Sequence, residues 1–131
     1  MNRPLRLGDL QVAILRVLWE EGEATVARVT EAIAGKRRAP TTIATMLSKL
    51  ERRGIVAHRV EGRQFVYRPR ISAQEVTRTM VADLTQRLFE GDVSALVSHL
   101  IRSEEIEHDE LVRLRAMIVE REREEESHDD P

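Results

Sequence analysis

Apolar side chains recur at helical spacing in three segments of the first half of the chain. The first predicted helix begins near Asp9 and ends at Gly22, a residue type that commonly terminates helices. The second follows Thr25, whose hydroxyl is placed to cap it, and ends near Gly35. A short extended segment at Glu23-Ala24 is expected between these two helices.

The third predicted helix has one apolar face and one polar face. Pro40 stands at its first position and Gly54 just beyond its end. One face is an apolar stripe of Ile43, Met46, Leu47 and Leu50. The other face is small and polar at its start and cationic at its end, and it comprises Thr41, Thr42, Ala44, Thr45, Ser48, Lys49 and Arg52. Small side chains let a helix approach base edges in the major groove of DNA, while the later cations reach phosphates.

Alternation with a period of two replaces the helical spacing after the third helix. It predicts strands from Ile55 to Val60 and from Arg63 to Arg68, joined by a turn at Glu61-Gly62. Phe65 and Tyr67 then share one face of the hairpin. The order helix, short strand, helix, helix, strand, strand is that of a winged helix-turn-helix. The predicted fold is therefore mainly α with a small β-hairpin.

Two domains are predicted, a winged helix in residues 1–71 and a helical dimerisation domain in residues 72–131. Ser72 and Glu75 have capping-box spacing, Asp92 is placed to cap the next helix, and the last helix begins near His108. The apolar positions of these helices are Val76, Met80, Leu84, Leu88, Val93, Leu96, Val97, Leu100, Leu111, Leu114 and Ile118. Three short helices have little volume in which to bury such faces alone, so a homodimer is expected. The final EREREEESHDDP is expected to be a fraying helix end and a disordered acidic tail.

Charge separates the two halves of the chain. Residues 1–70 contain 14 Lys+Arg and 7 Asp+Glu, a net charge of +7, whereas residues 71–131 contain 7 and 16, a net charge of -9. The basic half suits a polyanion, which would repel the acidic half. Arg59 and Arg63 flank the predicted turn, where a wing can touch DNA, and Lys36-Arg37-Arg38 precedes the third helix.

Composition and motifs argue against several other classes of function. The 131 residues contain no cysteine, which excludes disulfides and zinc sites with thiolate ligands. Glu104 and His108 are four residues apart but have no second histidine nearby, so no metal site is predicted. No catalytic or phosphate-binding motif is present, and we expect neither an enzyme nor a cofactor. The absence of a signal peptide or a bilayer-length apolar run predicts a cytoplasmic protein without membrane insertion.

From about Leu7 to Val119 the sequence resembles the penicillinase-repressor (BlaI/MecI) family of transcriptional regulators. The segments that carry the resemblance are LGDLQVAILRVLWEEGEATVARV, APTTIATMLSKLERRGIV, EGRQFVYRP and FEGDVSALVSHLI. It implies a homodimeric repressor with intertwined C-terminal helices that binds double-stranded, dyad-symmetric operators. The family's recognition contacts map onto Thr41, Thr42, Ala44, Thr45 and Ser48, and its wing onto Arg59 to Phe65. Ala44 stands where some relatives carry arginine.

The resemblance also implies a partner and a route of release. In the β-lactam-responsive branch, a membrane-bound sensor metalloprotease triggers cleavage of an Asn-Phe bond in the C-terminal helices. The matching bond here is His99-Leu100, which has neither residue type. The copper-responsive branch senses metal through a cysteine-rich tail, which this cysteine-free chain lacks. A winged-helix adaptor that binds proteins without DNA specificity is the alternative function.

Overall fold

The computed structural model describes residues 5–33 and 39–129 of the chain. The elements in chain order are α1 (Asp9–Glu21), β1 (Ala24–Thr25), α2 (Val26–Ala32), α3 (Pro40–Arg52), β2 (Val56–Glu61), β3 (Gln64–Pro69), α4 (Ala73–Phe89), α5 (Val93–Ser103) and α6 (His108–Asp129). This order confirms the winged helix-turn-helix and the mainly helical class. The short strand lies one residue later than expected, and the predicted end of α2 at Gly35 falls outside the described residues.

Two compact units divide between Leu84 and Thr85, so that α4 crosses from the first unit into the second. The predicted domain boundary at residues 71 and 72 precedes this division. Within the first unit, Val76 of α4 is only 4% exposed and lines a groove beside Trp19 of α1. The first turns of α4 therefore belong to the same compact unit as the winged helix.

Aliphatic side chains from α1, α2, α3 and the sheet form the core of the first unit. Ile14 and Leu18 of α1 and Ile43, Leu47 and Leu50 of α3 have no exposed surface. Because these residues recur every three or four positions, burying them fixes the rotation of each helix about its axis. The polar face of α3 is consequently turned outward.

A three-stranded antiparallel sheet with the strand order β1-β3-β2 supports the hairpin. Its register pairs Glu61 with Gln64, so the two-residue loop is Gly62-Arg63 and the predicted turn at Glu61-Gly62 is wrong by one residue. Gly62 has φ of +63° at the first loop position, as in the type II′ turn that favours glycine there. Both strands therefore also lie one residue later than predicted. Arg63, expected to begin the second strand, lies in the loop itself.

The second unit contains the end of α4 together with α5 and α6. The carboxylate of Asp92 accepts a hydrogen bond of 3.0 Å from the backbone N–H of Ala95, which confirms the predicted cap of α5. Helix α6 continues through Asp129, beyond the point at which fraying was expected. Oppositely charged residues spaced four apart, such as Arg121 and Glu125 with 3.5 Å between Nε and Oε1, favour this extension of the helix.

Candidate nucleic-acid interface

The outward face of α3 presents the small and cationic side chains that the sequence singled out. Thr41, Thr45, Ser48, Lys49 and Arg52 are exposed. Thr42 and Ala44 are half-buried at the edge of the same face. The side chains that α3 itself presents along this face in its first turns are threonine, alanine and serine. Small side chains of this kind let a base edge approach the helix backbone closely.

Thr45 uses its hydroxyl proton within the helix. Its Oγ1 donates a hydrogen bond of 2.9 Å to the carbonyl oxygen of Thr41. In this conformation the oxygen lone pairs and the methyl group remain for an outside partner. Thr45 is therefore suited to accept from an amino group or to contact a thymine methyl, and less suited to donate.

A groove of about 580 Å³ lies between α3 and the hairpin, and it has a mainly apolar lining. Ala44 and Ser48 form its helical side, and Arg63 and Phe65 form its hairpin side. Thr25, at the N-cap of α2, adds a third boundary. The groove brings the predicted recognition helix and the predicted wing onto one surface. Phe65 is the last residue of the predicted wing, whereas Thr25 was not among the candidate site residues.

The two wing arginines have different surroundings. Arg63 has no ion pair with any residue in the described ranges 5–33 and 39–129. Arg59 instead donates to the carboxylates of Glu23 and Glu61, at 2.8 Å for its Nη2 to Glu61 Oε2. The hydrogen bond to Glu23, followed by the attraction of both carboxylates, raises the pKa of Arg59 above its usual value. A phosphate must compete with both carboxylates for Arg59, whereas Arg63 is directly available.

A second contact between α3 and the hairpin involves a carboxylate that the sequence did not single out. Both carboxylate oxygens of Glu51 lie 2.7–2.8 Å from His58 Nδ1, and Glu51 also accepts from the His58 backbone N–H at 3.1 Å. Tyr67, paired with His58 across the two strands, is 4% exposed. Burial, and to a smaller degree the charge of Glu51, raises the pKa of the Tyr67 phenol. No local sequence pattern signals the contact, because it depends on the hairpin folding back onto α3.

The predicted dimerisation residues are mostly uncovered within the single chain. Seven are exposed, namely Leu84, Leu88, Val93, Val97, Leu100, Leu111 and Ile118. Met80, Leu96 and Leu114 are half-buried. Val76 differs, because it is already buried in its own chain and offers almost no area to a second copy.

Comparison with known proteins decides the family. The family model described as penicillinase repressor matches residues 7–120. The chain belongs to the penicillinase repressor family. The transcriptional regulator BlaI of Mycobacterium tuberculosis (strain ATCC 25618 / H37Rv) is 32% identical over 123 residues, which are 92% of this chain and 88% of that protein. The penicillinase repressor of Bacillus licheniformis is 23% identical over 121 residues, 92% of this chain and 94% of that protein. The solution structure of the DNA-binding domain of the repressor BlaI aligns with a TM-score of 0.49 and 29% identity, over 57% of this chain and 93% of that domain.

Membership of the penicillinase repressor family confirms the resemblance found in the sequence. It also confirms the expectation that the protein is not an enzyme, because the family consists of transcriptional repressors. In this family member the bond His99-Leu100 lies inside α5, and both side chains are exposed. The cationic segment Lys36-Arg37-Arg38 lies outside the described residues.

No helix in residues 5–33 and 39–129 combines the length and the apolar character needed to cross a membrane. Over the same ranges, no three His, Asp or Glu side chains come together in a way that could hold a metal ion.

Proposed function

We propose that this chain is a dimeric, sequence-specific DNA-binding transcriptional repressor that acts on dyad-symmetric operators. The observation that carries the proposal is the outward face of α3, which is small and polar at its start and cationic at its end. This face borders a groove shared with the hairpin and with Arg63, which has no ion-pair partner among residues 5–33 and 39–129. Charge and shape thus favour the same partner on the same surface.

The proposal assigns separate tasks to the two ends of α3. Thr42 and Thr45 contact base edges in the major groove, and Ala44 keeps the helix backbone close to them. Lys49 and Arg52, at the end of the helix, bind phosphates and set affinity rather than sequence preference.

Dimerisation is supported by the uncovered apolar residues of α5 and α6. Val93, Val97 and Leu100 are each at least 40% exposed within one chain, and they lie on one face of α5. A two-fold pair would cover that face and would present two copies of α3 to two half-sites.

Selection of binding sequences from random DNA, followed by fluorescence anisotropy on the enriched duplex, tests this function. Arg63→Gln should weaken binding to every sequence and reduce the slope of log affinity against log salt by about one. Thr45→Val keeps the size of the side chain and removes its hydroxyl, and it should change which sequences are enriched. Selection of no sequence at all would refute the repressor and would favour the protein-binding adaptor.

Release from DNA by proteolysis is a finer part of the proposal. The family relationship supports it, and cleavage of the matching bond His99-Leu100 would separate the last turn of α5 and all of α6 from the winged helix. The intact mass of the protein from induced cells, with and without a membrane sensor metalloprotease, tests this route. A fragment ending at His99 supports it, and an intact chain in induced cells contradicts it.

A further inference from the structure

The hairpin carries an exposed apolar pair beside the cationic part of the interface. Val60 is 63% exposed and Phe65 is 46% exposed, although the chain contains only two phenylalanines. The two residues are paired directly across β2 and β3, so their side chains share one face of the sheet. Phe65 also lines the groove that α3 borders.

The Phe65 ring is held in place from α3. It stacks on the His58 ring with 4.2 Å between ring centroids and an angle of 18° between ring planes. His58 is in turn hydrogen-bonded to Glu51 through its ring and its backbone N–H. Glu51 belongs to the last turn of α3, so the helix, the imidazole and the phenyl ring form one connected series.

We propose that Phe65 packs against the deoxyribose of a DNA strand lying in this groove, and that Glu51 and His58 are positioning residues that hold its ring there. The inference rests on the DNA-binding function proposed above. A DNA backbone alternates anionic phosphates with largely apolar sugars. The hairpin presents a matching pair, because the cationic Arg63 and the aromatic Phe65 are two residues apart in the chain and line the same groove.

Because Glu51 is negatively charged, the direction of the change in DNA affinity when it is removed tests the proposal. Glu51 stands between Lys49 and Arg52 at the cationic end of α3. Removing a carboxylate there would ordinarily strengthen the attraction of DNA, because one source of repulsion for phosphate is lost. If Glu51 positions Phe65 through His58, its removal weakens binding instead.

The test measures the affinity of the full-length protein for its selected duplex by fluorescence anisotropy over a range of salt concentrations. Phe65→Ala should reduce affinity about fivefold to tenfold, the effect expected from leaving half of a phenyl side chain uncovered. The salt slope should stay unchanged, because no charge is lost. Phe65→Leu keeps apolar bulk without a flat ring and should lose less, and it guards against an alanine variant that fails to fold.

A double-mutant cycle tests the positioning role. Glu51→Ala should weaken binding in the natural chain and should have little further effect when Phe65 is already alanine, because the two changes remove one contact. Equal thermal midpoints of the free proteins show that the fold is retained. An unaltered affinity in both Phe65 variants, a gain on removing Glu51, or additive effects would overturn the inference. If the natural chain itself selects no DNA sequence, the proposed function fails as well, which separates the two failures.

Discussion

Replacement of Leu100 tests the proposed dimer directly, because Leu100 lies on the uncovered apolar face of α5. Its side chain is 46% exposed in the single chain. An aspartate there should prevent association, because the dimer contact would bury a carboxylate without a partner. Leu100→Ala should weaken association without abolishing it. The two variants together form a graded series at one position.

The size of the alanine effect follows from the exposed fraction. Complete burial of a leucine side chain contributes about 1.5–3 kcal/mol, so covering the exposed half of Leu100 contributes about 1 kcal/mol. A two-fold dimer contains the contact twice, which gives about 2 kcal/mol, or a dissociation constant raised roughly thirtyfold. Such a change is within the range of sedimentation equilibrium at several protein concentrations.

A matched control separates the loss of apolar contact from the addition of charge. Ser98→Asp introduces the same carboxylate on α5, away from the apolar face, and should leave the dimer intact. Sedimentation of the Leu100→Asp chain as a dimer would refute the assignment of this face to the interface. Dissociation of both aspartate variants would show that charge on α5 matters and that the particular face does not.

Two further predictions concern the winged helix. Glu23→Gln removes one carboxylate partner of Arg59 and should tighten the binding of all DNA sequences at low salt, whereas Glu122→Gln in α6, with the same change in net charge, should not. An equal effect of the two changes in anisotropy titrations would show that only net charge matters. Because its pKa in the folded chain lies above the usual 10.0, Tyr67 loses its proton first in the unfolded chain, so the free energy of unfolding should fall as pH rises above about 10. Tyr67→Phe removes the only tyrosine and should flatten this decline in urea denaturation; an identical decline would contradict the assignment.

Helix α3 could be predicted from the sequence because its signals are local. Pro40 and Gly54 mark its two ends, and the stripe that includes Ile43, Leu47 and Leu50 indicates its buried face. The hairpin could be predicted only to within one residue. A glycine permits a tight turn at either central position, and the register of β2 and β3 decides that Gly62 takes the first one.

The side-chain contacts between different elements at the candidate interface could not be predicted in the same way. Arg59 and Glu23 are 36 positions apart in the chain, and they meet because β1 and β2 both pair with β3. Glu51 and His58 meet because the chain reverses direction after α3. Helical spacing and strand alternation describe single elements, so they carry no information on such pairs. Arg59 was for this reason assigned to DNA without the two carboxylates that bind it in the free chain.

In the proposed repressor, the threonine face of α3 and the apolar face of α5 are two requirements of one function. A threonine contacts a base edge through a single hydrogen bond or methyl contact, and the Thr45 hydroxyl already donates its proton to the Thr41 carbonyl oxygen within the helix. One copy of such a helix discriminates weakly among sequences, since the strong readers of base pairs are bidentate side chains. Specific sites must be bound at least about a thousandfold more tightly than other DNA, and two half-sites reach this because their free energies add. Under the proposed function, a dimer is therefore as necessary to sequence preference as the threonines, whereas the proposed phosphate contacts of Arg63 and Lys49 do not depend on it.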